Sequence, residues 1–278
     1  MIGLRASVQR GLVAMYSVAN RSGLLDSRLA EVAFQRSYFL YKYFVEDPFA
    51  RLVAGRPELF AGGHILDVGA NIGYTTTLFA RTVDARYRVH AFEPDARNYR
   101  WLGHAIQRSG HGDRVVAHRA AVGAREGTVD FWHNAGHHAD HRVATDRLRA
   151  AVDGPVDQVP LTTLDAVVAA IDWGPVSFVK IDVQGFEPEV LRGMRETISR
   201  NRAALHVAVE FMPSAIAELG FDPVEFLAEL ATELPHIAIL ERDGSLVDAD
   251  AAAVLSKTAP GTLGYVDLLC TAAAPQRS

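Results

Sequence analysis

The middle of the chain alternates short apolar runs with amphipathic segments. Short apolar runs bounded by turn residues predict buried strands, and apolar residues at steps of three and four predict helices. This pattern predicts strands at 64–68, 87–92 and 115–122 and helices at about 74–82 and 95–108. Strands that alternate with helices favour a parallel sheet with crossover helices. The sequence therefore predicts an α/β fold.

The same alternation continues, less regularly, to the C-terminus. It predicts further strands at 128–133, 176–182, 205–210, 237–240 and 265–270, and helices at 161–170, 188–200 and 222–233. The segment 134–160 is rich in His, Gly, Asp and Pro, and we expect it to be irregular.

The first 60 residues differ from the rest, because they predict helices and no strand. Phe34, Tyr38, Tyr41 and Val45 follow one another at helical steps and so share one helix face. Through residue 45 the segment holds six Lys/Arg and two Asp/Glu, opposite in sign to the whole chain. We divide the chain into a helical cap, 1–60, and a main domain, 61–278. The cap is interpreted as a helix packed on that domain, a lid over an acceptor pocket, or a surface for an anionic membrane or a partner.

Composition narrows the class of protein. The net charge of −5 over 278 residues gives no support to nucleic-acid binding. The single cysteine, Cys270, allows no internal disulfide and no cysteine-based metal site. No apolar run approaches the ~20 residues of a membrane span. The mildly apolar stretch 11–19 is diluted by Gly, Ser and Tyr, so we expect no signal peptide and a cytoplasmic protein.

The stretch HILDVGANIGYTT, residues 64–76, is the strongest local signal. It reads as a strand, a glycine turn and a helix N-terminus, which together form a nucleotide-binding corner. Glycine lets a backbone approach a ligand where a Cβ would collide. The residues that we expect around the cofactor here are Asp67, Gly69, Ala70, Asn71, Gly73, Tyr74 and Thr75.

The charge of this corner indicates which nucleotide it binds. A dinucleotide site needs G-x-G-x-x-G, whereas Gly69 and Gly73 are spaced G-x-x-x-G. The carboxylate of Asp67 would repel a phosphate but suit a cationic adenosine compound such as S-adenosylmethionine (SAM). A second strand ends in Glu93-Pro94, and an acid there accepts hydrogen bonds from ribose hydroxyls.

These residues resemble the FkbM family of SAM-dependent O-methyltransferases. The resemblance rests on DVGANIGYTT at 67–76, AFEPD at 91–95, the AVG…GTVDF run at 121–131, LTTLD at 161–165 and FVKIDVQGFEPEVLRG at 178–193. It implies a class I (Rossmann-like) fold, with a mostly parallel seven-stranded sheet, helices on both faces and an antiparallel final strand. It also implies methylation of a hydroxyl on a sugar, glycolipid or polyketide-like secondary metabolite, and it places Ala121 beside the adenine.

Acids end four of the predicted strands, namely Asp67, Glu93, Asp182 and Glu210. Because parallel strands present their carboxyl ends to the ligand, we expect these acids at one edge, where a cation or a hydrogen-bonding ligand must separate them. Lys180 falls on the same strand face as Asp182 and offsets part of the charge. We assign Asp182 to the cofactor and the catalytic site, and Glu210, Gln184 and Glu187 to the acceptor site.

Methyl transfer to a hydroxyl needs alignment and a group that accepts the proton. Candidate bases are Asp182, Glu210, His137, His138 and His141. Our first choice is His141, oriented by Asp182, because a histidine titrates near neutrality. The block 133–142 has three open interpretations: a polar surface loop, an acceptor-binding loop, or a divalent-metal site formed by His137, His141 and Asp182.

The sequence thus predicts a SAM-dependent O-methyltransferase with a small-molecule or glycolipid acceptor, and with homo-oligomerisation left open. The alternative enzyme is an NAD-dependent oxidoreductase, disfavoured by the missing G-x-G-x-x-G motif. The alternative without catalysis is a methyltransferase-like binding scaffold.

Overall fold

A twisted sheet with helices on both faces forms the centre of the protein. The computed structural model describes residues 27–134, 141–152, 154–259, 262 and 264–274. In this part of the chain the main sheet has eight strands, β1 (His64–Val68), β2 (Val89–Phe92), β3 (Val115–His118), β8 (Val176–Ile181), β9 (His206–Phe211), β10 (His236–Leu240), β11 (Leu246–Asp248) and β12 (Val266–Thr271). Their spatial order is β11-β10-β12-β9-β8-β1-β2-β3.

The pairing directions confirm a mostly parallel class I arrangement. Strands β3, β2, β1, β8 and β9 pair in parallel, and β12 inserts antiparallel between β9 and β10. The antiparallel final strand is therefore confirmed. Beyond the seven strands expected, the short β11 pairs with β10 and extends that edge of the sheet.

Helices cover the two faces because side chains alternate along each strand. On one face, Leu66, Val68 and Ile181 pack in a core with α6 (Leu164–Ala169), α7 (Glu187–Arg192), α8 (Arg195–Asn201) and α10 (Pro223–Glu233). On the other, Ile65 and Phe178 pack against α2 (Phe49–Gly55) and α3 (Tyr74–Thr82), and α4 (Ala96–Ser109) lies over β2 and β3. The remaining helices are α1 (Arg28–Tyr41), α5 (Asp146–Arg149), α9 (Pro213–Glu218) and α11 (Ala251–Lys257).

A second, four-stranded sheet contains the strand predicted at 128–133 and two strands that begin in the segment 134–160, which we expected to be irregular. It consists of β4 (Ala121–Val122), β5 (Gly127–Trp132), β6 (Arg142–Val143) and β7 (Val156–Thr162), in the order β4-β7-β5-β6. The predicted single strand 115–122 is wrong, because the chain leaves the main sheet after His118 and Ala121 pairs with Leu161 of β7.

Two predicted helices also change. The segment 161–170 begins as strand, and α6 begins only after Thr163, whose hydroxyl accepts a hydrogen bond from Ala166 N at 3.0 Å. The segment 188–200 is two helices that break at Gly193-Met194. A Cβ on Gly193 would lie 2.0 Å from the carbonyl oxygen of Gly123, so this contact between segments requires glycine.

The described part of the N-terminal segment is helical, as predicted. Ser27 caps α1, and α1 runs into a π turn, Lys42–Glu46, before α2. Phe34 on α1 packs against Trp101, with ring centroids 5.7 Å apart, and against Ile72. The stripe containing Phe34 and Tyr38 therefore faces the main domain. In the described residues we find no helix whose length and apolar character would let it cross a membrane.

Candidate functional site

A cavity of about 380 Å³ opens at the carboxyl edge of the main sheet. Its walls come from the loops after β1, β2 and β8, from the end of β9, and from the N-terminal helical segment. Residues that line it include Gly69, Ala70, Asn71, Tyr74, Thr75, Glu93, Pro94, Ala121, His141, Asp182, Gln184 and Glu210, all predicted site residues. The predicted residues Asp67, Gly73 and Glu187 are not among those that line it.

The glycines of the first loop serve packing between segments. Gly69 has φ +79°, and a Cβ there would lie 1.8 Å from the carbonyl oxygen of Asp182. Gly73 has φ +92°, and its Cβ would lie 2.9 Å from Leu102 of α4. Each missing side chain therefore makes room for protein. The two glycines bring the β1 and β8 loops, and α3 and α4, into close contact. Gly69 also lines the cavity, so its place beside the cofactor stays a prediction, whereas Gly73 does not line it.

Asp67 lies behind the cavity wall. Its side chain is fully buried, and it accepts hydrogen bonds from the hydroxyls of Thr75 at 2.9 Å and Thr76 at 2.6 Å. The ammonium of Lys180, its cross-strand neighbour, lies 3.7 Å away. The structure therefore corrects the expectation that Asp67 contacts the cofactor. Asp67 instead anchors the first turn of α3 and compensates a buried cation.

Lys180 joins the two loops that form the floor of the cavity. Its Nζ donates to the carbonyl oxygen of Gly69 at 3.1 Å and lies 3.2 Å from Oδ2 of Asp182. Burial alone would lower the pKa of Lys180, but the carboxylates of Asp182 and Asp67 outweigh burial and raise it. Lys180 therefore carries its charge at neutral pH and offsets the acids, as the sequence predicted.

The half of the cavity next to β1 and β2 has groups that suit a polar ligand. Glu93 is buried and accepts hydrogen bonds from the backbone N–H groups of Asn71 and Asp95, each at 2.9 Å. Burial, and after it the charge of Asp95, raises the pKa of Glu93 to about 8. Within the described residues, the buried Asn71 Oδ1 and Tyr74 Oη have no hydrogen-bond partner. Such buried polar atoms on a cavity wall fit a ligand that would satisfy them.

The half next to β8 and β9 is acidic. Nε2 of Gln184 donates to Oδ1 of Asp182 at 2.9 Å and to Oε2 of Glu210 at 3.0 Å. Gln184 has φ +56°, an uncommon conformation for this residue type that aims its amide between the two carboxyl groups. The loop and the strand end therefore form one hydrogen-bonded unit that faces the cavity.

The two carboxyl groups of this unit differ in protonation. Burial alone would raise the pKa of Asp182, but the Lys180 ammonium, the charge of Lys42 and the hydrogen bond from Gln184 together outweigh burial and hold the pKa below its usual range. Burial, and then the charges of Asp182 and Asp267, raises the pKa of Glu210 well above its usual value. Asp267 lies opposite Glu210 in the β9–β12 pairing, and burial followed by the charges of Asp47 and Asp182 raises its pKa to about 7. Asp182 is therefore ionised, and Glu210 is the more basic carboxylate.

Glu187 supports the loop from below. Its side chain is buried, and Oε1 accepts hydrogen bonds from the backbone N–H groups of Val183 at 3.0 Å and Gly185 at 3.1 Å. Its assignment to the acceptor site is therefore corrected to a role in shaping the loop that carries Gln184. Burial is the main reason that the pKa of Glu187 rises to about 7.

His141 reaches the cavity, but its hydrogen bonding argues against a proton-accepting role. Its Nδ1 accepts a hydrogen bond from the backbone N–H of Asn134 at 3.0 Å. Because that N–H can only donate, the neutral imidazole carries its proton on Nε2. Neither ring nitrogen is then available to take a proton from a hydroxyl. This hydrogen bond does not favour His141 as the base, and that role stays a prediction. His137 and His138 lie outside the described residues, so their roles stay predictions.

Another histidine of the same block has a structural role. His133 Nδ1 is 3.0 Å from Oδ2 of Asp95, and its Nε2 is 3.2 Å from Oδ2 of Asp157. Asp95 caps α4 through the N–H groups of Arg97 and Asn98. His133 therefore ties β5 and β7 of the small sheet to the start of α4.

Several cavity residues were not predicted from the sequence. They come from the N-terminal segment and from late in the chain: Lys42, Asp47, Met212 and Tyr265. Tyr38 and Tyr41, assigned to a packing stripe, also line the cavity. The helical spacing of this stripe was the available signal for a lid, and the described part of the cap does form a cavity wall. Among the residues that the structure describes, no group of three or more His, Cys, Asp or Glu side chains is arranged to hold a metal ion.

Comparison with known proteins gives one family. Residues 67–238, more than half of the chain, match the Methyltransferase FkbM domain. Among curated proteins, none matches the sequence significantly. A solved structure of methyltransferase FkbM from Methylobacillus flagellatus is similar, with 15% identity and a TM-score of 0.48 over 76% of this chain. This chain spans only 44% of that protein.

Two further structures have the same kind of similarity. An O-methyltransferase from Bacillus cereus, crystallised with SAH, has 12% identity and a TM-score of 0.46, with coverage of 93% of this chain and 100% of that one. A SAM-dependent O-methyltransferase from Thermotoga maritima has 13% identity and a TM-score of 0.42, with coverage of 84% and 68%.

Proposed function

Since this chain belongs to the FkbM family of methyltransferases, we propose that it transfers the methyl group of SAM to a hydroxyl of a sugar, a glycolipid or a secondary metabolite. The family implies SAM as methyl donor and decides against an NAD-dependent oxidoreductase. The observation that supports hydroxyl methylation is the Asp182–Gln184–Glu210 unit. It places a basic carboxylate in the cavity that also contains the groups suited to SAM.

Three residues on the cavity wall have groups that suit SAM. Glu93 accepts hydrogen bonds from two backbone N–H groups. Its carboxyl oxygens have further lone pairs, to which ribose hydroxyls would donate. Asn71 Oδ1 is a buried acceptor without a protein partner among the described residues. It would accept a hydrogen bond from a donor group of SAM. Ala121, small and buried, leaves room for a ring. When bound, SAM supplies a methyl group already activated by its sulfonium.

The chain's own residues would position the acceptor and remove its proton. The acceptor oxygen would receive the methyl group, and the electron pair of the broken carbon–sulfur bond would stay on sulfur. The hydroxyl proton goes to the carboxylate of Glu210. Glu210 suits this role better than Asp182, because its raised pKa makes its carboxylate the stronger proton acceptor once it is ionised. The amide of Gln184 holds the two carboxyl groups in place, and Asp182, ionised beside Lys180, would orient the acceptor.

A charge-neutral substitution of the base tests this assignment. Glu210→Gln keeps the shape and an acceptor oxygen but cannot take a proton. We expect the single-turnover methyl-transfer rate to fall by about 10²- to 10⁴-fold, while calorimetry shows SAM affinity near wild type. Glu225→Gln, at an exposed position near the start of α10, is the matched control and should be unchanged. A full rate in the Glu210→Gln variant would refute the role of Glu210.

The dependence of the rate on pH gives an independent readout. With Glu210 as base, the wild-type rate rises with pH as its carboxyl group ionises, and Glu210→Gln loses this rise. His141→Ala keeps the rise, because His141 is not the proton acceptor. If the rise vanished in His141→Ala and survived in Glu210→Gln, the original choice of His141 would be restored.

We also propose that residues 61–278 are the catalytic domain and residues 1–60 are a cap that completes its cavity. Tyr38, Tyr41 and Lys42 on the cavity wall support this division. Limited proteolysis in the presence of the SAM analogue sinefungin tests it: cleavage should concentrate near residue 60. Cleavage spread evenly through 61–278 would contradict the division.

A further inference from the structure

One segment of the described chain exposes large apolar side chains in a group. Leu29 is 86% exposed, Leu40 59%, Tyr43 49% and Phe44 64%. Elsewhere in the described residues, the exposed large apolar side chains are four valines from separate elements: Val116, Val156, Val224 and Val247. Leu29, Leu40, Tyr43 and Phe44 belong to α1 and the π turn that follows it, and we name them the α1 outer face. Their grouping in one element sets this surface apart from scattered exposed side chains.

The α1 outer face is turned away from the protein core. Leu29 and Leu40 are three helical turns apart and so lie above one another on α1. Phe34, on the other side of the helix, is buried against Trp101 and Ile72. Helix α1 therefore has apolar residues on two sides. The main domain covers the side that carries Phe34, and the side that carries Leu29 and Leu40 is exposed. The rings of Tyr43 and Phe44 contact each other edge to face, with centroids 4.9 Å apart.

Positive charge lies beside this surface. Arg28 and Arg36 are exposed residues of α1. Arg108 of α4 is on the inner side of the helix, where its guanidinium donates to the buried side chain of Gln35. Glu31 is buried and paired with His104, at 2.7 Å. The surroundings of the α1 outer face are therefore basic.

The surface also adjoins the cavity. Tyr41 and Lys42 line the cavity, and they stand in the chain between the exposed Leu40 and Tyr43. The π turn that carries Lys42, Tyr43 and Phe44 is an uncommon conformation that occurs frequently at functional sites. Any partner that contacted the α1 outer face would therefore lie next to residues that line the cavity.

We propose that the α1 outer face, with Arg28 and Arg36, docks on an anionic lipid bilayer. Apolar side chains beside cationic ones are what a lipid interface selects, because the former enter the acyl boundary while the latter meet anionic headgroups. A second copy of this chain fits the surface less well. A two-fold contact would bring the same arginines of both copies together, and like charges repel.

The docking has a consequence for the acceptor, which rests on the proposed function. A cavity bounded by Tyr41 and Lys42 would lie at the bilayer surface and receive a hydroxyl carried by a membrane-borne molecule. This favours the glycolipid among the acceptors proposed above.

Vesicle binding of the full chain tests the docking without SAM or acceptor. The probes are vesicles of phosphatidylcholine alone and of phosphatidylcholine mixed with phosphatidylserine. We expect binding to the mixed vesicles and weak binding to phosphatidylcholine alone. Leu40→Ser/Phe44→Ser should weaken binding by about 20-fold, from partial loss of apolar transfer at two sites. Arg28→Ala and Arg36→Ala should each weaken it by about fivefold, and added salt should remove this electrostatic part.

Val224→Ser is the matched control, since Val224 is 57% exposed on α10, and its variant should bind as wild type. None of the altered residues lines the cavity, so SAM affinity and the thermal midpoint should be unchanged. The proposal is overturned if mixed vesicles are not bound, or if Leu40→Ser/Phe44→Ser binds them like wild type. It is also overturned if wild type is a dimer that the double substitution makes monomeric. Because no methyl transfer is measured, a failed docking and a failed enzymatic proposal remain separate results.

Discussion

The buried ammonium of Lys180 is the group on which the site depends most. Lys180→Met removes the charge and nearly keeps the side-chain length. The variant loses the donor to Gly69 O at 3.1 Å and the partner of Asp182 Oδ2 at 3.2 Å. It also leaves the carboxylate of Asp67 without the cation that lies 3.7 Å away. We expect this substitution to destabilise the protein and to loosen the loops after β1 and β8.

The size of the effect follows from burial. Asp182 keeps 27% of its side chain exposed and can regain water, whereas Asp67 is fully buried and cannot. Removal of one partner of a buried pair costs about 3–5 kcal/mol, mostly because the other charge stays buried and unpaired. Asp67 retains the hydroxyls of Thr75 and Thr76, so we expect the lower part of that range.

Urea unfolding measures the change in the free energy of unfolding. The matched control is Lys257→Met, which removes an exposed ion pair with Glu241 at 2.7 Å. Exposed pairs contribute about 0–1 kcal/mol, so the control should stay close to wild type. Asp67→Asn in the Lys180→Met background removes the uncompensated charge, and we expect it to restore about half of the lost stability.

The reasoning would be refuted by a Lys180→Met variant that is as stable as the Lys257→Met control. It would also be refuted if Asp67→Asn lowered the stability of the Lys180→Met background as much as it lowers that of wild type. In either case Asp67 would not depend on Lys180 for its charge compensation.

Four further predictions follow from the site. Gly62 and Gly69 have similar φ values of +84° and +79°, but a Cβ meets no atom at Gly62 and the Asp182 carbonyl at Gly69; Gly62→Ala should therefore cost about 1 kcal/mol in urea unfolding and Gly69→Ala about 1–3 kcal/mol more, and equal costs would contradict the close contact. Glu93→Ala should weaken SAM binding by about 10- to 150-fold in calorimetry, whereas unchanged affinity in a folded variant would remove Glu93 from the cofactor site. The raised pKa values of Glu187, about 7, and Glu93, about 8, mean that each holds a proton in the folded protein that it releases in the unfolded chain, so each lowers stability as pH rises from about 4.5 through its folded pKa; because the lowered pKa of His90 acts in the opposite direction, the test is the difference in free energy of unfolding between Glu187→Gln and wild type, which should shift in favour of the variant from about pH 4.5 to 7, and a constant difference would oppose the assignment. Deletion of residues 1–45 removes the Phe34 packing and part of the cavity wall, and should reduce acceptor turnover more than SAM affinity; a truncated protein with full activity would show that the segment is dispensable.

Much of the fold could be predicted because its signals are local. The strand 64–68 and the helix 74–82 were located to the residue, since a buried apolar run and an αL glycine mark their limits. The small sheet was mostly missed, because β4 and β6 have two residues each and their pairing depends on distant chain. Gly193 was placed inside a single helix, because its close approach to Gly123, seventy residues earlier, has no signal in the local pattern.

The positions of the site residues could likewise be predicted only where the signal was local. Glu93, Asp182 and Glu210 were expected at one edge, and all line the cavity. Asp67 is different, because alternation along β1 turns its side chain toward α3, where Thr75 and Thr76 bind it. The threonine run at 75–77 was the available signal for this arrangement. The tautomer of His141 depends on the backbone of Asn134, seven residues earlier, and no residue pattern encodes that contact.

The most direct test of the central claim is to follow the methyl carbon itself. Purified protein is incubated with SAM labelled with ¹³C in the methyl group and with candidate sugar, glycolipid and secondary-metabolite acceptors, and the products are identified by NMR. The account predicts a labelled methyl ether on an acceptor hydroxyl, formed by wild type and Glu225→Gln and nearly absent with Glu210→Gln. A labelled methyl group on nitrogen or carbon, or transfer at an equal rate by Glu210→Gln, would contradict it.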